Sequence, residues 1–377
     1  MNGIYYYLIA FVAIWILVAI FHDKLSNHGV ELSFPTIMWK TQKLRGLISR
    51  ISNFSPTFWR WYMNVGIVVA FGAMAFITWT LISTLPTVFE APAVSVIIPG
   101  VDIPGSQIYV PFFYGLIALA TVLIVHEFSH GIQSVGEKIP IKSIGLLLFI
   151  IIPGAFVEPD EEKLKAAERI SRLRVYAAGS IANITLALIA LILLSLASAG
   201  IPGYFAEDGI QIERVVPDSP SDGILKDGMV LQSIDNHKIN DSASYVDVVS
   251  SYSPGDNVTV QTDRGTYNVV LDKNPNNDSR GYFGIQANKH FELVNDSLGP
   301  LPWILFELVD LFQWVAMLNL GIGLFNLLPL KPLDGGYMLE ILLSYKMSEK
   351  HYKPIVNALS AVMAMIIVFS IVAGFIA

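Results

Sequence analysis

The sequence predicts a multi-pass α-helical membrane protein interrupted by one β-rich soluble domain. Three observations carry that prediction. Apolar runs of about 20 residues, enough to cross a hydrocarbon core of roughly 30 Å, recur along the 377 residues. Charged residues make up 15% of the chain, against about 25% in soluble proteins, and they gather in blocks between the runs. Over residues 204–292 the character changes to short β-branched stretches separated by turn residues. The first two observations argue against a soluble enzyme. A nucleic-acid binder is excluded by 24 Lys+Arg against 31 Asp+Glu, a net charge of −7. The chain has no cysteine, which removes disulfides and Cys-ligated zinc or iron–sulfur sites.

Taken in order, the expected spans are 4–21, 62–85, 109–131, 175–199, 311–330 and 355–376. The first has no basic residue before it and a long apolar stretch, so it reads as a retained span and not a cleaved signal. Basic residues fall in 22–61, 137–174 and 331–353, with six, seven and four in turn. Those blocks lie in alternate loops, so the positive-inside rule places them in the cytoplasm. Both chain ends and the region 200–300, with 15 acidic residues against seven basic ones, are then outside. Two segments do not fit a simple span. Residues 143–157 (SIGLLLFIIIPGAFV) are short, β-branched and closed by Pro-Gly, which suggests a re-entrant or strand-like hairpin buried against protein. Residues 36–50 (TIMWKTQKLRGLISR) suggest a basic amphipathic helix on the inner leaflet. The expected organisation is a membrane domain over 1–200, a soluble domain over 204–292 and a second membrane portion over 300–377.

Within the soluble region Gln211–Val216, Val258–Gln261 and Tyr267–Leu271 read as strands, with Asp-Gly, Pro-Gly-Asp and Asn-Pro-Asn-Asn-Asp turns between them. The order VVPDSPSDGILKDGMVLQSIDNHKI, SPGDNVTVQTDRGTYNVVL and GYFGI resembles a PDZ domain of the kind carried by membrane and periplasmic proteases. The resemblance implies a peptide ligand added as a strand at a sheet edge, with Tyr282–Ile285 as the carboxylate loop. A rigid spacer that limits access to the membrane part is the alternative.

The chemistry is carried by Val125-His126-Glu127-Phe128-Ser129-His130-Gly131 in the third span. On a helix His126 and His130 are four apart and share one face, so both rings can reach one Zn²⁺. Glu127 stands beside that face, placed to act as a general base on water. Ionisable residues inside a span are costly and mark function. A catalytic zinc takes a third protein ligand, and position leaves Glu158 and Asp334, the latter in a segment broken by Pro329 and Pro332.

The pair HEFSH and NLLPLKPLDGG, in separate spans, resembles the site-2 protease family of intramembrane zinc metalloproteases. The resemblance extends over the membrane half, through FVEPD at 156–160 and the run Ala178-Gly179-Ser180-Ile-Ala-Asn183. Relatives often have proline where this chain has Ser180, a departure expected to leave the metal site untouched. The resemblance implies that His126, His130 and Asp334 bind one Zn²⁺ and that Glu127 is the base. It places Asn183 and Asn326 near the substrate backbone. Transmembrane protein substrates and the lipid bilayer are the implied partners. The expected setting is the cell membrane, with the site near its cytoplasmic face. A zinc or proton transporter, or a metal-dependent receptor, is the rival class. HEFSH has no second copy in the chain, whereas transporters often carry internal repeats, and a general base is superfluous for transport.

Overall fold

In the computed structural model, which describes residues 4–106, 108–275 and 277–376, the apolar runs are helices. They belong to a unit formed by the chain up to Ser195 together with everything from Leu308 onward; Leu196–Glu307 is a second unit. Helix α1 (Ile4–Ile20) is apolar all round and is followed by the short α2 (His22–Ser26). Strands β1 (Val30–Ser33) and β2 (Thr36–Thr41) form a hairpin. Helix α3 (Arg45–Phe54) passes through Ser55 into α4 (Pro56–Ser83), where Pro56 occupies a first-turn position that needs no N–H. Helix α5 (Phe112–Gly136) leads to the hairpin β3 (Ile141–Phe149) and β4 (Ile152–Pro159). Helix α6 (Glu161–Ala166) is capped by Asp160, which accepts from the Lys163 N–H at 3.1 Å. The long helix α7 (Arg169–Gly200) follows.

The second unit holds β5 (Phe205–Val215), β6 (Val230–Ile234), β7 (His237–Lys238), α8 (Ser242–Ser250), β8 (Asn257–Thr262), β9 (Gly265–Val270), β10 (Asp272–Asn274), β11 (Asn277–Tyr282) and β12 (Ile285–Leu293). Its main sheet has the order β12-β5-β6-β8-β9, with β7 on β6. The inward residues of the alternating strands, among them Ile210, Ile212, Leu231, Val258, Val260 and Val269, make one core. Asp241 and Ser244 close the start of α8 as a capping box. The three strands expected here lie within or within one residue of β5, β8 and β9. In the expected carboxylate loop Gly284 has φ +75°, and a Cβ there would sit 2.1 Å from that of Ser219. The Ser219 hydroxyl donates to the Gly284 carbonyl at 3.1 Å.

The chain returns through α9 (Ile304–Phe325), α10 (Asp334–Ser344) and α11 (Glu349–Ile376). Among the described residues five helical stretches are long and apolar enough to cross a membrane: Pro56–Thr87, Phe112–Gly136, Arg169–Gly203, Leu301–Phe325 and Glu349–Ile376. Helix α1, at 17 residues, is shorter. The expected span 311–330 ends early, because residues 326–333 leave the helix as turns around Pro329 and Pro332. Helices α4, α7 and α10 pack through Met63, Ile67, Ala177, Ile181 and Met338. Helices α5, α7 and α9 meet through Ala118, Val122, Ala190 and Leu318.

The expected helix over 36–50 is half wrong. Residues 36–41 are strand β2, paired with β3 in the register Thr36↔Phe149 to Thr41↔Ile144, and the helix starts only at Arg45. Thr36, Ile37, Trp39 and Thr41 are β-branched or aromatic and suit a strand, and their partner lies more than 100 residues away. The hairpin expected at 143–157 is β3–β4, and it belongs to a four-stranded sheet ordered β1-β2-β3-β4.

Candidate metal centre

One turn of α5 separates His126 from His130, and their Nε2 atoms lie 3.1 Å apart. Asp334 opens α10, and its Oδ2 is 3.3 Å from His126 Nε2 and 3.4 Å from His130 Nε2. The turn that delivers it depends on the two glycines that follow. The Gly335 N–H donates to the Asn326 carbonyl at 2.9 Å, and a Cβ on Gly335 would be 2.1 Å from the Leu327 oxygen. A Cβ on Gly336 would come within 2.6 Å of the Leu330 backbone. Asp334-Gly-Gly therefore lets α10 begin in contact with the chain that leaves α9.

These three side chains fit a zinc ion. Bonds of about 2.0–2.1 Å at tetrahedral angles set neighbouring donors about 3.3–3.4 Å apart, close to the three edges of this triangle. His, His and Asp are a zinc donor set, and their ligating atoms form the metal-capable group of three found among the described residues. The second nitrogen of each ring is also engaged. His130 Nδ1 is 2.7 Å from the Val175 carbonyl, so it donates there and leaves Nε2 with its lone pair. His126 Nδ1 is 3.3 Å from Asn183 Nδ2, while Asn183 Oδ1 is buried with no partner among the described residues. Turning the carboxamide over gives that oxygen an N–H from His126 and frees His126 Nε2 in the same way.

Helix α7 thus lines the centre without supplying a ligand. A Cβ on Gly179 would be 2.5 Å from His130 Nε2 and 2.6 Å from His126 Cε1, so only glycine lets the helix come this close. Ser180, fully buried, donates from Oγ to Asp334 Oδ2 at 3.2 Å. Ser180, expected to leave the metal site untouched, thus contacts one of its three side chains. Its hydroxyl reaches across to a helix 154 positions away, a contact that local sequence does not announce. Gly179 stood in a recognised run, yet nothing in the run tells that its missing side chain is what matters.

Glu127 lies next to His126, and its Oε2 accepts the Val157 N–H at 2.9 Å. That N–H is on the edge of β4 that, among the described residues, no other strand pairs. Glu158, the alternative third ligand, is not in the metal-capable group; its Oε2 accepts from the Ser143 hydroxyl at 2.5 Å within the hairpin. Asn183 reaches the centre, whereas Asn326 contributes its backbone carbonyl to the Gly335 bond. Two turns beyond the histidines Glu137, at the C-terminal end of α5, ties that helix to α7. It accepts from Arg174 at 3.0 Å and from Ser171 at 2.5 Å.

Known proteins are similar to parts of this chain. The uncharacterized protein MJ0971 of Methanocaldococcus jannaschii is 29% identical over 231 residues, which cover 60% of this chain and 56% of that protein. The chain thus matches little more than half the length of that relative. The membrane metalloprotease ARASP, chloroplastic, of Arabidopsis thaliana is 24% identical over 329 residues, 65% of this chain and 72% of the relative. The PDZ domain of an SdrC-like protein from Listeria monocytogenes is 23% identical, covering 24% of this chain and 90% of that one at a TM-score of 0.20. The profile of peptidase family M50 matches residues 114–369, which include His126, Glu127, His130 and Asp334. With five helices fit to cross a bilayer and a match over two thirds of its length, the chain is a multi-pass membrane protein and belongs to peptidase family M50, the family of site-2 proteases.

Proposed function

We propose that this protein is an intramembrane zinc metalloprotease that hydrolyses peptide bonds within or near the transmembrane segments of membrane-protein substrates. The observation that carries the reading is the donor triangle of His126, His130 and Asp334 beside the Glu127 carboxylate, on a helix apolar enough to cross a membrane. His126, His130 and Asp334 would hold a zinc ion, which when bound would supply Lewis acidity at the scissile carbonyl and lower the pKa of water towards 7. With Oε2 held by the Val157 N–H, Glu127 has Oε1 to take a proton from the attacking water and return it to the leaving amine. A substrate helix hides its carbonyls in its own hydrogen bonds and must unwind to be cut. The unpaired edge of β4 beside Glu127 suits an extended substrate segment that adds as a strand. Asn183, against His126, serves first to hold that ring; Asn326 is the better candidate for the substrate backbone.

The rival reading, a zinc-binding transporter or receptor, is not favoured. It gives no role to Glu127, and it does not follow from membership of a peptidase family. The test is cleavage of a panel of single-span proteins in liposomes by wild type and Glu127→Gln, with zinc measured in both. Loss of cleavage by at least about 100-fold with zinc retained is expected, as general-base catalysis contributes about 10²–10⁴. Cleavage at the wild-type rate by the glutamine variant would sink the reading.

The site is placed near the cytoplasmic face of the cell membrane, with α1 as a further span and the second unit outside as a PDZ-like module that binds peptides or limits access. The support is the confinement of 17 basic residues to three alternate loops. Cysteines at Lys163 and Lys346 should label from one side and a cysteine at Asp256 from the other. Labelling of all three from the same side would refute this topology.

A further inference from the structure

We propose that Ser180 is a positioning residue for the metal, holding Asp334 Oδ2 on the histidine pair from the neighbouring helix. The inference rests on the metal reading above and concerns a residue to which the sequence alone gave no part in the site.

The atom that Ser180 touches is the one that matters. Its Oγ lies 3.2 Å from Asp334 Oδ2, the same oxygen that is 3.3 and 3.4 Å from the two ring nitrogens. Among the described residues no other hydroxyl or amide side chain bonds this carboxylate. Ser180 is 0% exposed, so bulk water does not compete for the hydroxyl, and an ionised acceptor makes the bond a strong one. The hydroxyl is also fixed in place. The glycine before it lets α7 rest directly against both histidine rings. From the other side, α9 crosses at Gly323, where a Cβ would be 3.2 Å from the Ser180 carbonyl and 3.1 Å from Asn183 Cβ. The turn of α7 that carries Ser180 is thus wedged between α5 and α9. An aspartate at the start of a helix has several side-chain rotamers to choose from, and this donor selects the one that points at the rings. With it, each of the three ligands has a partner on α7: Val175 for His130, Asn183 for His126 and Ser180 for Asp334. Proline at position 180 would offer no donor to Asp334.

The test is zinc affinity, measured by competition with a chromogenic chelator on the full chain in detergent, well below its unfolding temperature. Ser180→Ala should weaken zinc binding by about 10–100-fold, as the loss of such outer partners does elsewhere. Ser180→Thr keeps the hydroxyl and should stay within about threefold of wild type. Thr185→Ala serves as the packing control, since it removes a hydroxyl from α7 that bonds Tyr62 at 2.5 Å and touches no ligand. It should leave zinc affinity unchanged even where it lowers stability. Wild-type affinity in Ser180→Ala would overturn the inference. So would an equal loss in Ser180→Ala and Thr185→Ala, or in Ser180→Ala and Ser180→Thr, because packing would then be the cause. A His126→Ala arm separates the two levels: if it too binds zinc as wild type does, the metal reading itself has failed.

Discussion

Helices α5 and α7 are both long and apolar, both pass the metal centre, and they build it in opposite ways. Over five residues α5 supplies two ring nitrogens and a carboxylate, so its contribution is chemical and local. Helix α7 supplies no ligand. It offers a backbone carbonyl at Val175, an absent side chain at Gly179, a hydroxyl at Ser180 and a carboxamide at Asn183. The difference teaches that reactive groups are marked by residue type and spacing. The groups that aim them are marked only by what lies opposite in the fold.

Gly179→Ala breaks the comparison most severely. In an exposed helix interior that change stabilises by about 1 kcal/mol. Here the new Cβ falls 2.5 Å from His130 Nε2, so α7 has to withdraw. Overpacking should destabilise by about 1–3 kcal/mol, and zinc affinity should fall at least about tenfold as the outer partners are pulled away. Gly72→Ala on α4 meets nothing within 4 Å and should be neutral or stabilising. Thermal unfolding and chelator competition on the two variants check the contrast; equal behaviour would show that α7 has room.

Glu137→Ala has a smaller effect on the zinc centre, though not on stability, and acts at the root of the same pair of helices. The Glu137 side chain is 4% exposed, and its partner Arg174 is 15% exposed. Removing the acid leaves a largely buried guanidinium with Asn64 Oδ1, at 2.9 Å, as its remaining acceptor, and breaking a buried pair on one side costs up to about 3–5 kcal/mol. Glu137→Gln retains an acceptor for Ser171 and should lose less. Denaturation in detergent would measure both, and a harmless alanine variant would mean that the α5–α7 junction does not depend on this ion pair.

Much of this was legible in the sequence, for physical reasons. His126, Glu127 and His130 are read from a 3.6-residue period alone. For the third ligand, position left Glu158 and Asp334 open and only the family resemblance implied Asp334, whereas the strands of the second unit follow from period-two alternation. What was not legible is non-local. Residues 36–41 became a strand because β3, more than 100 positions away, offers them an edge; the basic residues nearby suggested a helix instead. Ser180 looked neutral because its partner is 154 positions distant. Helix α1 is marginal as a span on length alone: 17 helical residues, about 25 Å at 1.5 Å each, stand at the lower end of what crosses a bilayer.

The central claim is that two histidines of α5 and the first residue of α10 hold one zinc ion. Its most direct test is the zinc content of the purified full chain in three forms. Wild type and Glu158→Ala should each retain about one zinc per chain, and Asp334→Ala should retain almost none, because two histidines leave a zinc site short of a ligand. Full zinc in Asp334→Ala together with its loss in Glu158→Ala would contradict the account and move the third ligand to the β-hairpin.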